Sequence, residues 1–214
     1  TPIHASPPQR PLSLGGKCAA AGILATALAL LAASAYDVPL GLPTFGCGVL
    51  ATLAVLAISR QSPLRVLRDI AWGVLPLVAG LFVLVQGVEQ TGALRVLVTM
   101  LHDAAATAPR EASAVAGVIA ALASNLLNNL PTGLIAATVG QAADVPLQVT
   151  AGLLIGVDLG PNLSVTGSLA TILWLIALRR EGEAVTGWQF LKLGLVVMPP
   201  SLIAALLALS LLPQ

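Results

Sequence analysis

Charge is scarce in this sequence of 214 residues. Asp, Glu, Lys and Arg make up 9% of it, while 57% is hydrophobic and the mean hydropathy is +0.95. An ordinary soluble domain carries about 25% charged residues. Ten Lys/Arg and nine Asp/Glu leave a net charge of +1. That is too little to coat a water-facing surface, or to build the basic face that neutralises nucleic-acid phosphates. Soluble enzymes and nucleic-acid binders are excluded, and an integral membrane protein is implied. His and Cys are equally scarce, two of each. His4 and His102 form no metal-ligand spacing with any Cys, Asp or Glu, and Cys18 and Cys47, in apolar runs, read as buried small residues. Walker A, Gly-x-Ser-x-Gly and His-Glu-x-x-His patterns are absent, so neither ATP hydrolysis nor a catalytic residue is expected, and no cofactor is called for. Aromatics are only 3%; Tyr36, Trp188 and Phe190 fall near predicted membrane interfaces, where amphipathic rings are favoured.

The sequence begins at Thr1, and residues 1–16 are polar and Pro-rich. They lack the charged n-region, apolar core and cleavage site of a signal peptide, and read as a loop. The chain is therefore expected to be a piece of a longer polypeptide, a polar loop at 1–16 followed by a transmembrane region at 17–214.

A helix needs about 20 apolar residues to cross the hydrocarbon core. Segments 18–35, 40–59, 70–88 and 193–212 fit directly, the third kinked by Pro76. Between the last two lie longer apolar stretches, 113–142 and 147–178, each broken by residues unsuited to lipid. The first break is Ser124-Asn-Leu-Leu-Asn-Asn-Leu-Pro-Thr-Gly133; the second runs from Gly156 through Asp158, Gly160, Pro161, Asn162, Ser164 and Thr166 to Ser168. Irregular backbone at membrane depth is tolerated only where protein buries it or where it lines a cavity.

The distribution of basic residues decides how the two stretches cross. With 113–142 as a re-entrant hairpin and 147–178 as a crossing helix with an unwound middle, Arg10, Lys17, Arg60, Arg65, Arg68, Arg179, Arg180 and Lys192 share one side, against Arg95 and Arg110 on the other. If both stretches crossed, the count would be even. The expected fold is an all-α polytopic membrane protein, with the N-terminus cytoplasmic and the C-terminus outside. Segment 92–112 suits a short amphipathic helix, on the surface or packed on the bundle, or a further short span.

A hairpin and a broken helix meeting at mid-membrane recur in transporters, with half-helix ends facing the substrate. Asn125, Asn128 and Asn129 both donate and accept hydrogen bonds, and with Thr132, Asn162, Ser164, Thr166 and Ser168 they could grip a neutral polyhydroxy solute or an oxyanion. The alternative for the Asn cluster is interhelical glue. Asp158, the one carboxylate placed well inside the hydrocarbon zone, is by default a functional residue. It could couple transport to a proton or cation, or cap the half-helix beginning near Ser164 or Thr166. Glu89 reads as an interface residue.

The run Ser124–Ile135, followed by Gly156–Trp174 and preceded by Trp72-Gly-Val-Leu-Pro76 and Gly80–Glu89, resembles the C-terminal half of bacterial arsenite efflux permeases, the ArsB family of the ion transporter superfamily. The resemblance implies two inverted repeats, each with a hairpin and a broken helix, of which this chain holds one. It implies proton-driven export of arsenite or antimonite across the cytoplasmic membrane and, in some members, association with a cytoplasmic arsenite-stimulated ATPase. It further implies that Asn125, Asn128, Asn129, Asp158, Asn162, Thr166 and Ser168 contribute to the substrate and coupling site, completed by the absent N-terminal repeat. Competing readings are a related dicarboxylate carrier or Na⁺/H⁺ exchanger, and a non-transporting membrane scaffold. No Lys or Arg falls in either break, which counts against the dicarboxylate carrier.

Overall fold

The computed structural model describes residues 11–60 and 62–212, and among these all regular structure is helical. Residues 1–10 of the expected loop lie outside the described residues, as do the side chains of Arg65 and Asp69. The chain divides into two compact units, one ending at Ile70 and the other beginning at Ala71.

The first unit holds α1 (Leu14–Ala35), α2 (Gly41–Ser59) and the short α3 (Pro63–Asp69). Helix α1 starts inside the segment expected to be loop, because the Ser13 hydroxyl accepts the Gly16 N–H at 3.1 Å and caps it. At about 1.5 Å per residue, its 22 residues and the 19 of α2 are long enough to span a bilayer. The two helices pack where Gly22 lies against Ala51. Neither buries a residue, and four of their hydroxyls are satisfied internally: those of Thr26, Thr44, Thr52 and Ser59 each donate to the carbonyl four residues back. Cys18 and Cys47 are free thiols, each half-buried.

The second unit holds α4 (Val74–Gln90), α5 (Ala93–Thr107), α6 (Pro109–Leu127), α7 (Asn129–Ala142), α8 (Leu147–Leu159), two 3₁₀ turns (Gly160–Leu163 and Val165–Gly167), α9 (Leu169–Arg180) and α10 (Gly187–Ser210). Helices α1, α2, α6 and α10 are individually long and apolar enough to cross a membrane, and α4 with α5 makes a fifth candidate bent by 74°. The chain is a multi-pass membrane protein. The bend differs from the expected kink at Pro76. That proline sits in the first turn of α4, where its missing N–H costs nothing. The axis breaks instead at Thr91–Gly92, where Gly92 takes φ 77°. Helix α5 packs on the bundle, burying Leu94 and Ala105.

The core of this unit is a seam of small residues between α6 and α8. Gly152 lies against Ser113, Gly156 against Gly117 and Gly160 against Ala121, so closely that a Cβ on Gly117 would stand 2.8 Å from the Gly152 carbonyl oxygen. Both series ascend together, so α6 and α8 run parallel. Helix α7 runs back alongside them, with Gly133 beside Val157 and Gly140 beside Leu153. Helices α6 and α7 therefore form a hairpin whose tip is Asn128. Its base is held by Ala105, Ala112 and Val149, packed with Leu101 and Val145, and by His102 Nδ1 at 2.9 Å from the Ala143 carbonyl oxygen. Since that oxygen can only accept, Nδ1 carries the proton. Helix α10 runs antiparallel to α8. Its Gly194 meets the carbonyls of Asn162 and Leu163, Met198 and Leu202 cover Ala121, and Leu206 reaches Gly117.

Candidate functional site

The interruption within 113–142 is a single residue. Asn128, only 6% exposed, takes φ 78° and ψ 153°, ending α6 and starting α7. Its Oδ1 accepts the Leu130 N–H at 3.3 Å, its carbonyl oxygen accepts the Thr132 hydroxyl at 2.9 Å, and its Nδ2 donates to the Thr166 carbonyl at 3.0 Å. Asn128 thus caps the returning helix and ties the hairpin tip to the other break.

The second break is shorter than expected. Helix α8 continues through Asp158 to Leu159, and the two 3₁₀ turns then lead to α9. The cap of α9 is Ser168, whose Oγ accepts the Ala170 N–H at 3.2 Å. Asp158 lies in the last turn of α8, ahead of the break, so it is not the cap of the following half-helix. Its side chain is exposed and has no partner among the described residues.

The two breaks are knitted together by side chains. Asn125 Nδ2 donates to the carbonyls of Ala121 and Gly160, both at 2.8 Å, and its Oδ1 accepts from Ser164 Oγ at 2.7 Å. Thr166 Oγ1 donates to the Asn125 carbonyl at 3.0 Å and lies 3.1 Å from Ser164 Oγ. Asn162 Nδ2 turns back to the Leu159 carbonyl at 3.0 Å and the Asp158 carbonyl at 3.4 Å. Helix ends leave backbone groups without partners, and in a membrane these must be satisfied internally. Much of the polar sequence in both breaks serves this purpose. Asn129 stands apart: it is half-buried and its side chain bonds to no described residue.

Of the residues singled out in the sequence, Asn125, Asn128, Thr132, Ser164 and Thr166 form one connected network. Asn162 and Ser168 bond within their own segments, and Asn129 and Asp158 remain unbonded. None of them lines the 400 Å³ groove between α7 and α8, where Gly133, Ala137, Gly140, Leu154 and Val157 face one another. Among the described residues no group of three His, Cys, Asp or Glu could hold a metal. Sequence reasoning passed over the residues that position the site. Gly152, Gly156 and Gly160 recur at every fourth position, as do Ser113, Gly117 and Ala121, and small residues at that spacing mark close helix packing in membranes.

Comparison with known proteins places the sequence in a family. The family model described as arsenical pump membrane protein matches residues 14–212. An arsenical pump membrane protein of Escherichia coli is 28% identical over 181 residues, covering 81% of this chain and 42% of its own length. One from Yersinia enterocolitica is 27% identical over the same shares. An uncharacterized transporter of Mycobacterium tuberculosis is 29% identical over 199 residues, 88% of this chain and 44% of its own. The chain thus spans less than half the length of these relatives, and no solved structure matches it. With a family model that takes in nearly the whole sequence and both breaks, this chain belongs to the ArsB family of arsenical pump membrane proteins, which are membrane transporters rather than enzymes.

Proposed function

We propose that this chain is the C-terminal half of a secondary active exporter of arsenite and antimonite in the cytoplasmic membrane, driven by protons or membrane potential. In this reading residues 17–214 form one inverted repeat, with 113–142 re-entering the membrane and 147–178 crossing it. The substrate lies at the two breaks, between this repeat and an N-terminal repeat of the same transporter. Asn129, Asn162, Thr166, Ser168 and the second amide hydrogen of Asn128 offer uncharged donors and acceptors to it. Asn125, Thr132 and Ser164 hold the breaks in shape, and Asp158 is the coupling carboxylate. A cytoplasmic arsenite-stimulated ATPase is a further partner in this reading.

The observation that carries the proposal is the family match running through both breaks. The chemistry of the site supports it. Arsenite at neutral pH is mainly an uncharged trihydroxide, suited to amides and hydroxyls. A dicarboxylate would need cationic or richer N–H recognition. At the start of α7 the Leu130 N–H is taken by Asn128 Oδ1, Pro131 has none, and the Thr132 N–H goes to the Asn128 carbonyl, so few backbone donors remain for an anion. A site without cysteine ligands also lets the metalloid leave, where thiolates would hold it.

The test is arsenite efflux from cells lacking their own exporter, comparing this chain alone, the chain fused to an N-terminal repeat, and that fusion carrying Asn129→Ala. Export by the fusion, lost on Asn129→Ala at equal membrane levels, is the expected result. A membrane-inserted fusion that exports no arsenite would refute the proposal.

A further inference from the structure

We infer that Asn125 is a positioning residue, a latch that joins the tip of the α6–α7 hairpin to the break after α8, and not a ligand of the transported solute. The inference comes from counting its hydrogen-bonding capacity. An Asn side chain has two N–H donors and one carbonyl oxygen. Both donors are spent on the Ala121 and Gly160 carbonyls at 2.8 Å, and the oxygen receives Ser164 Oγ at 2.7 Å. The Asn125 backbone carbonyl is taken by Thr166 Oγ1 at 3.0 Å. Gly167 closes over the same group: a Cβ there would lie 2.9 Å from Asn125 Oδ1 and 2.5 Å from the Pro161 carbonyl. No N–H of this amide is left for a solute, and Oδ1, which keeps one lone pair, is closed over by Gly167; the bonds to the Gly160 carbonyl and from Thr166 also replace helical partners lost at the breaks.

The geometry divides the neighbouring asparagines by role. Asn125 fixes the 3₁₀ turns against the hairpin, so that the residues left unbonded, Asn129 on α7 and Asp158 on α8, are held in a constant relation to each other. The part played in transport rests on the export reading above; the latch itself does not.

Hydrogen–deuterium exchange of the membrane-embedded protein in lipid nanodiscs tests the latch directly, followed at the amides of residues 160–168. In Asn125→Ala, exchange there should rise about tenfold or more, because the two side-chain bonds that cross the junction, to Gly160 and Ser164, are lost. Exchange at the hairpin base, 105–113, should stay unchanged. Ser164→Ala removes one bond and should give a smaller rise. The double variant should exchange no faster than Asn125→Ala alone, a non-additivity that general loosening would not produce. Asn129→Ala should leave exchange as in the parent while weakening arsenite binding. The latch is overturned if Asn125→Ala exchanges within twofold of the parent, or if the two variants add. Should Asn125→Ala fail to fold, Ser164→Ala decides alone: unchanged exchange at 160–168 overturns the latch. Failure of the export reading would look different, with no arsenite binding by the parent protein while the exchange pattern still holds.

Discussion

Asn128 combines two opposed energetic demands, and substituting it separates them. Its backbone, at φ 78° and ψ 153°, occupies a region that is essentially reserved for glycine and costs another residue about 1–3 kcal/mol. Its buried side chain repays that cost through the bonds to Thr166 and Leu130. Asn128→Ala keeps the strain and loses both bonds, stranding a backbone carbonyl and an N–H, for a destabilisation of about 2–4 kcal/mol. Asn128→Gly loses the same bonds but relieves the strain. Against that relief stands the greater freedom of glycine in the unfolded chain, about 0.5–1 kcal/mol. The glycine variant should therefore be the more stable of the two by about 1 kcal/mol, reversing their order in an ordinary helix. Asn128→Asp, which sets a carboxylate oxygen against the Thr166 carbonyl, should be at least as damaging as alanine. Unfolding by sodium dodecyl sulfate titration in mixed micelles, followed by loss of helical signal, gives the ranking. An alanine variant equal to or more stable than the glycine variant would refute the reasoning.

Other substitutions probe the seam, the free carboxylate and the hairpin base. Gly156→Ala pushes a methyl group into the Gly117 carbonyl and to 3.0 Å from Ala120 Cβ. It should cost about 2–4 kcal/mol in the same titration, whereas Gly133→Ala, at an ordinary contact distance of 3.4 Å from a Val157 methyl, should stay within about 1 kcal/mol of the parent. Asp158→Asn, on an exposed side chain, should leave the unfolding midpoint unchanged and abolish uphill arsenite export by the complete transporter; full export at equal expression would remove Asp158 from the coupling role. His102→Ala loses the bond to the Ala143 carbonyl and should cost about 1 kcal/mol, seen as faster amide exchange at residues 143–149.

What could be read from the sequence follows a physical dividing line. Apolar length is a local property, so α1, α2 and α10 lie close to the segments assigned to them. The breaks were also visible, because Asn, Pro and Gly are conspicuous in apolar runs. Their extent was not. A single residue in an unusual conformation suffices at Asn128, since Leu130 to Thr132 can be helical once capped, and Pro131 is harmless in a first turn. The same rule moved the Pro76 kink to Thr91–Gly92. The roles of Asn125 and Asn128 were hidden for another reason: the Gly160 and Thr166 carbonyls they satisfy belong to the other break and become partners only when α6 and α8 run parallel. The pattern that brings those helices together, small residues at every fourth position, was present in the sequence but carries no chemistry to draw the eye.

The bonds that tie the hairpin tip to the second break span only 35 to 41 residues of chain, and the stretch between them is occupied by α7, itself part of the packing. Closing a loop of that length costs little more than closing a shorter one. During synthesis, then, the hairpin and α8 can assemble once the 3₁₀ turns have left the ribosome, before α10 has emerged to cover Ala121. A chain arrested with Ser168 outside the ribosome should already hold the tip in place, so the order of translation, as well as the finished packing, keeps the backbone of both breaks paired and away from lipid.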